Sequence, residues 1–165
     1  MLNYKIISKI LGSLLWLEAT LMFYCLIVAI CYGEHDQLPF VWSILILVGA
    51  GELFRLYGRK ASTSLGRREA YFVVTVTWVL YSFFGTLPFM FDNPSMLFTD
   101  AYFETMSGFT TTGATILDHP ENLPHGILLW RSLTQWIGGL GIVFFTIAVL
   151  PSIVGGSVKI FAAEA

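Results

Sequence analysis

Four apolar runs, Ile10–Tyr32, Leu38–Tyr57, Tyr71–Phe91 and Ile127–Pro151, constrain this chain more than any other feature. Each is long enough to cross the roughly 30 Å of a bilayer's hydrocarbon as a helix. In lipid every backbone N–H and C=O must be satisfied inside the protein, so such runs are expected to be helical. Composition agrees. Of the 165 residues, 56% are hydrophobic and 12% are charged, which is about half the charge of an ordinary soluble domain. The expected fold class is an all-α membrane protein. Lys5 and Lys9 precede the first run as in a signal peptide, but the run is too long for an h-region and no small-x-small site follows. It is read as a retained transmembrane helix. Cys25 and Cys31 in that run are expected to be small buried hydrophobes. No basic block speaks for nucleic acid. No nucleophile–base pair, phosphate loop or metal cluster speaks for an enzyme.

Loop charges set the orientation. Lys5 and Lys9 lie at the N-terminus, Arg55, Arg59, Lys60, Arg67 and Arg68 in the second loop, and Lys159 near the C-terminal end. The intervening loops carry Glu34, His35, Asp36, Asp92, Asp118, His119 and Glu121. Basic loops stay in the cytoplasm, so the N-terminus is expected inside. The third run then ends outside and the fourth begins outside. The mixed stretch Ser95–Thr115 must therefore enter and leave the membrane from the outer side as a re-entrant loop. Backbone of that kind is tolerated only where it is buried in protein or lines a watery path.

The re-entrant stretch has two parts. Phe98, Ala101, Tyr102, Thr105 and Met106 recur at helical spacing, with Thr99 or Asp100 as the expected N-cap and Gly108 at the helix end, where φ > 0 is often needed. The C-terminal end of such a helix carries partial negative charge and favours a cation. Thr110-Thr111-Thr112-Gly113-Ala114-Thr115 then predicts an extended strand with one unusual backbone angle, at Gly113. In a pore, such a strand offers successive carbonyls that replace the hydration shell of a potassium ion.

Thr111 to Thr115 resembles a degenerate potassium-channel filter of the T-V-G-Y-G kind. Asp100 to Leu117, followed by Arg131-Ser132-Leu133-Thr134-Gln135-Trp136-Ile137-Gly138-Gly139-Leu140-Gly141, resembles the first pore repeat of the Trk/Ktr/HKT superfamily, and bacterial TrkH-type subunits most. The two N-terminal helices resemble the extra hairpin of that type. The resemblance implies a hairpin over residues 1–60 and a helix–pore loop–helix repeat of potassium-channel type over 61–165. It implies potassium uptake across the bacterial inner membrane, with Thr110, Thr111, Thr112, Gly113 and Ala114 forming the ion-binding filter. Thr111 and Thr112 would supply potassium-facing oxygens. It also implies a cytoplasmic nucleotide-binding regulatory subunit as partner. Family members hold four such repeats and this chain holds one. The expectation is an incomplete chain that needs the remaining pore repeats, or a homo-oligomer, to surround an ion. The alternative is a truncated, non-conducting membrane protein acting as an assembly or regulatory partner.

Other residues carry weaker signals. Asp100 and Glu104 lie one turn apart on the pore helix. They either gather cations at the mouth or hold that helix by hydrogen bonds. Glu18, inside the first run, is expected to be structural. Arg131 is read as an interfacial anchor. Gly138, Gly139 and Gly141 are expected to admit close packing against the pore helix, and Trp130 and Trp136 to be interface and packing aromatics. His35, His119 and His125 share no ligand spacing.

Overall fold

In the computed structural model, which describes residues 2–61 and 66–143, six helices and one short 3-10 turn follow in order. They are α1 (Tyr4–Tyr32), α2 (Gln37–Tyr57), α3 (Arg67–Gly85), α4 (Leu87–Asp92), α5 (Phe98–Phe109), the turn Pro120–Asn122, and α6, which starts at residue 125 and is described to 143. No strand occurs among the described residues. Among the described residues three stretches are long and apolar enough to cross a membrane: Tyr4–Tyr32, Gln37–Tyr57 and Arg68–Asp92. The far end of the fourth expected run, up to Pro151, lies outside the described residues.

Local chemistry explains the boundaries. Asn3 caps α1 through its side chain, which accepts from the Ile6 N–H at 3.4 Å, so the helix begins well before its apolar run. Gly33 ends it in the left-handed region at φ 67°. There the Gly33 and Glu34 N–H groups donate back to Ile30 and Ala29. Such an end suits glycine because a Cβ is penalised there. The third run is not one helix. It breaks between Gly85 and Leu87, because Pro88 has no N–H to give and disfavours helical backbone just before it. Thr86 stitches the break by donating its hydroxyl to the Phe83 carbonyl at 2.7 Å.

Glycines let the α1–α2 hairpin close. A Cβ on Gly12 would lie 2.6 Å from the Gly51 carbonyl, and one on Gly58 2.6 Å from the Lys9 backbone. The outward faces of α1 and α2 expose Trp16, Phe23, Trp42 and Leu53, as lipid-facing surfaces do. Both cysteines are free, but only Cys25 is buried; Cys31, on the outward face, is exposed. Glu18 is wholly enclosed between α1 and the α3 end, near Gly85, and neither carboxyl oxygen has a hydrogen-bond partner.

The core sits behind the pore helix. Phe109, at the end of α5, lies between Tyr81 of α3 and Trp130 of α6, with ring centroids 5.4 Å and 6.2 Å away. Trp130 is fully buried and donates its indole N–H to the Gly85 carbonyl at 3.0 Å. That bond places an α6 side chain against the break after α3. Trp136 is exposed.

Candidate ion-filter loop

The short helix α5 is fixed first by α3. Thr105 donates its hydroxyl to the Ser82 carbonyl at 2.9 Å, and Ser82 reaches Met106 Sδ at 3.1 Å. Its N-cap is Leu97, not Thr99 or Asp100, and no side chain caps it. Thr99 instead donates to Asp100 Oδ1 at 3.3 Å. Gly108 is not the terminator either. It lies inside α5 against the Thr134 hydroxyl of α6, and its absent side chain admits that contact.

Beyond α5 the chain reverses through two positive φ angles. Gly113 has φ 72°, as its position in the motif predicted, and Thr111 has φ 56°. A threonine in the left-handed region is uncommon and strained. Its N–H donates to the Gly108 carbonyl at 2.8 Å, and the Thr112 N–H donates to Ser107 at 2.9 Å. Residues 110 and 111 are thus a tight turn, and the extended segment starts at Thr112 without forming a strand. Thr110 donates its hydroxyl to the Met106 carbonyl at 2.7 Å and lies 2.9 Å from the Thr112 hydroxyl. Thr110 to Thr115 are all solvent-exposed. The carbonyl oxygens of Thr110, Thr111, Thr112 and Gly113 accept no hydrogen bond among the described residues. The Ala114 carbonyl accepts the Ser107 hydroxyl at 2.6 Å, which commits one of its lone pairs to the pore helix.

Glu104 holds the far end of this loop, at Thr115 and Ile116. Its side chain is 2% exposed, so it points inward and not into the mouth. One carboxyl oxygen accepts both the Thr115 hydroxyl and the Ile116 N–H at 2.6 Å. The other accepts Arg131 Nε and faces Arg131 Nη2, both at 3.3 Å. Arg131 Nη2 also donates to Thr115 Oγ1 at 3.3 Å. Pore helix, filter loop and α6 therefore meet at one carboxylate. The expected role of Arg131 as an interfacial anchor understates it: it is the counter-ion of this junction. Ser107 was not legible as a filter support. The signal for the Glu104–Arg131 pair was a lone cation in the apolar α6 run, which calls for a partner.

The glycines of α6 divide. Gly138 abuts the Phe109 backbone of the pore helix, whereas Gly141 faces Trp78 of α3 and Gly139 has room, with only Thr111 Cγ2 at 3.8 Å from a notional Cβ. The three histidines pair separately, His35 with Asp92, His119 with Glu121 and His125 with Glu34. Among the described residues no histidine, cysteine or carboxylate group of three or more is placed to hold a metal ion.

Membrane-length helices, a short pore helix and a loop of open carbonyls define a helix–pore loop–helix repeat of the potassium-channel type. Residues 39–165 match the TrkH family, described as cation transport protein, and the chain belongs to that family. It is 34% identical over 164 residues to the Trk system potassium uptake protein TrkH of Escherichia coli (strain K12), covering 99% of this chain and 34% of that protein. It is 38% identical over 158 residues to the Trk system potassium uptake protein TrkI of Halomonas elongata, covering 96% and 32%. The crystal structure of the potassium transporter TrkH from Vibrio parahaemolyticus superposes with a TM-score of 0.84 at 35% identity, covering 91% of this chain and 32% of that one. These relatives are transport proteins and not enzymes. The chain spans 34% of the length of the Escherichia coli relative.

Proposed function

We propose that this chain supplies the first pore repeat of a Trk-type potassium-uptake pore subunit in the bacterial inner membrane, with the N-terminus cytoplasmic. The observation that carries this reading is that the carbonyls of the exposed residues Thr110 to Gly113 accept no hydrogen bond among the described residues. Unpaired carbonyls cost several kcal/mol in lipid, so such a row is sustained only where ions or water meet it. Potassium is the cargo. The carbonyls of residues 110–114 and the Thr111 and Thr112 hydroxyls form one side of its shell, and Asp100 stands at the mouth. A complete shell needs a ring of such segments, so further pore repeats close the ring. A cytoplasmic nucleotide-binding subunit is the regulatory partner that the family resemblance suggests. Residues 1–60 act as an anchoring hairpin and 61–165 as the pore unit.

Gly113 tests the filter. A notional Cβ there has room, its nearest neighbour being Gln135 Nε2 at 3.4 Å, so strain and not collision decides the effect. A side chain at φ > 0 costs about 1–2 kcal/mol, and about 1.4 kcal/mol of differential binding is tenfold. In the full-length transporter, Gly113→Ser is expected to lower the potassium-to-sodium uptake ratio about tenfold. An unchanged ratio removes Gly113 from the mechanism.

Thiol labelling tests orientation. With Cys25 and Cys31 replaced, a cysteine at Asn93 is expected to react with an impermeant reagent added to intact cells, and one at Lys60 is not. Labelling at Lys60 from outside would invert the topology and remove the re-entrant loop's outer mouth.

A further inference from the structure

The turn between α1 and α2 carries Glu34, His35 and Asp36 in succession, and each meets a different part of the pore repeat. Glu34 accepts the His125 backbone N–H at 2.6 Å through one oxygen and lies 2.8 Å from His125 Nδ1 through the other. The His125 ring stacks on Tyr32, with centroids 3.9 Å apart and planes within 9°. His35 Nε2 lies 3.3 Å from Asp92 Oδ1 at the end of α4. Asp36 is buried against Gly126 in the first turn of α6, and neither of its oxygens completes a hydrogen bond. Glu34 thus ties the hairpin turn to α6 by hydrogen bonds, His35 stands at ion-pair distance from Asp92 of α4, whose Oδ1 completes no hydrogen bond, and Asp36 packs unpaired against α6; α4 and α6 lie on either side of the stretch Ser95–Thr115.

We propose that this cluster is a proton-binding latch, which clamps the α1–α2 hairpin onto the pore repeat as the solution at the filter-loop face turns acid. The inference goes beyond the filter reading and does not rest on it. The titratable groups facing one another are Glu34, His35 and Asp36 of the turn, Asp92 of α4, His125 of α6 and the Cys25 thiol of α1. Without protons on the imidazoles, three carboxylates crowd together and repel. With them, two carboxylates gain cationic partners. The His35 and His125 side chains are 76% and 50% exposed, so solution protons reach both. Histidine is the residue type that changes charge between about pH 5 and 8.

The carboxylates bound the window. The hydrogen bond from His125 holds the Glu34 carboxyl below its ordinary value of 4.5. Its contribution is present above that value and is lost as pH falls through the lowered one. Burial pushes the Asp36 carboxyl up and the Glu34 charge adds to this, while its own backbone N–H and the nearby Ile127 N–H oppose the shift without closing a hydrogen bond. A raised value works in the other direction: its contribution is present in acid and is lost as pH rises through it. Asp36 therefore favours docking as pH falls. The hold weakens only once Glu34 itself takes a proton.

The test is hydrogen–deuterium exchange on the whole protein in lipid nanodiscs, following peptides that cover residues 33–37 and 124–128 at pH 8, 7 and 6, with intrinsic rates divided out. Protection of both segments is expected to rise about fivefold from pH 8 to pH 6, the scale of an exposed ion pair. His35→Gln and His125→Gln are each expected to remove part of the rise, and the double variant all of it. His119→Gln is expected to keep the full response, since among the described residues His119 pairs with Glu121, two residues away, at 3.3 Å, and not with the hairpin turn. Flat protection in the unsubstituted protein overturns the latch without recourse to any variant. So does a double variant that keeps the full pH response.

Discussion

Glu104→Ala is expected to be among the most damaging single changes in this repeat, lowering stability by about 3 kcal/mol. The carboxylate is nearly enclosed, and four donor atoms meet it: Thr115 Oγ1, the Ile116 N–H, and Nε and Nη2 of Arg131. Breaking a buried pair by removing one partner costs about 3–5 kcal/mol, because the other charge is left uncompensated. The low end applies here, since the Arg131 side chain is 25% exposed and water partly replaces the lost partner. The filter should suffer as well. Thr115 and Ile116 are its C-terminal attachment, and among the described hydrogen bonds no other α5 side chain holds them. Glu104→Gln keeps an acceptor for both and loses the charge, so it should fall between wild type and alanine. The measurement is thermal unfolding of the purified protein, paired with the potassium-to-sodium uptake ratio of the full-length transporter. A cycle with Arg131→Ala adds a stricter test. Residues that share one network couple by about 0.5–3 kcal/mol, so the double variant should be less damaged than the sum of the single variants. Additive losses would show that the two side chains act independently.

What the sequence reveals and what it hides follow from the range of the forces involved. Hydrophobic run length is a local property, and the membrane helices follow from it, apart from their ends. α1 starts early because Asn3 caps it, and the third run splits because Pro88 lies inside it. Both signals were present as residue types, but the apolar run outweighed them. The positive φ at Gly113 was legible because only glycine adopts it without strain. The positive φ at Thr111 was not, because threonine resists that region. It is sustained by N–H bonds from Thr111 and Thr112 back to Gly108 and Ser107, the last turn of α5.

The filter's supports were the least legible part. Glu104 and Arg131 are 27 residues apart, and Glu104 and Thr115 are 11 apart. Neither spacing belongs to a helix face or a ladder, so no local pattern joins them. On one helix, Asp100 and Glu104 look alike. Tertiary placement separates them: Glu104 turns inward to Arg131, while the Asp100 carboxylate accepts the hydroxyl of its neighbour Thr99. His35, His119 and His125 share no ligand spacing. What spacing could not show is that the hairpin turn meets the start of α6 across 91 residues.

Gly138→Ala and Gly139→Ala are expected to differ sharply, although they are neighbours on the same helix and make the same chemical change. A Cβ at position 138 would lie 2.7 Å from the Phe109 carbonyl carbon and 3.0 Å from its Cα, and closer still to its oxygen. Backbone cannot swing aside as a side chain can, so α6 would have to move away from α5. That motion opens the contact of Phe109 with Trp130 and pulls on the indole bond to Gly85. Overpacking of this kind costs about 1–3 kcal/mol, and the top of that range is expected where both partners are helices already fixed at several points. At position 139 the nearest atom is Thr111 Cγ2 at 3.8 Å, an ordinary contact. There alanine should be neutral or should gain up to about 1 kcal/mol from the lower entropy of the unfolded chain. The two variants, measured side by side by thermal unfolding in detergent, should therefore lie about 3 kcal/mol apart or more. Gly138→Ala should also loosen the filter, because Thr110 and Thr111 follow directly from the displaced Phe109. Its potassium-to-sodium uptake ratio in the full-length transporter is expected to fall, while that of Gly139→Ala is expected to hold. Equal stability of the two variants would mean that α6 does not cross α5 at Gly138, and the seat described for the filter loop would have to be abandoned.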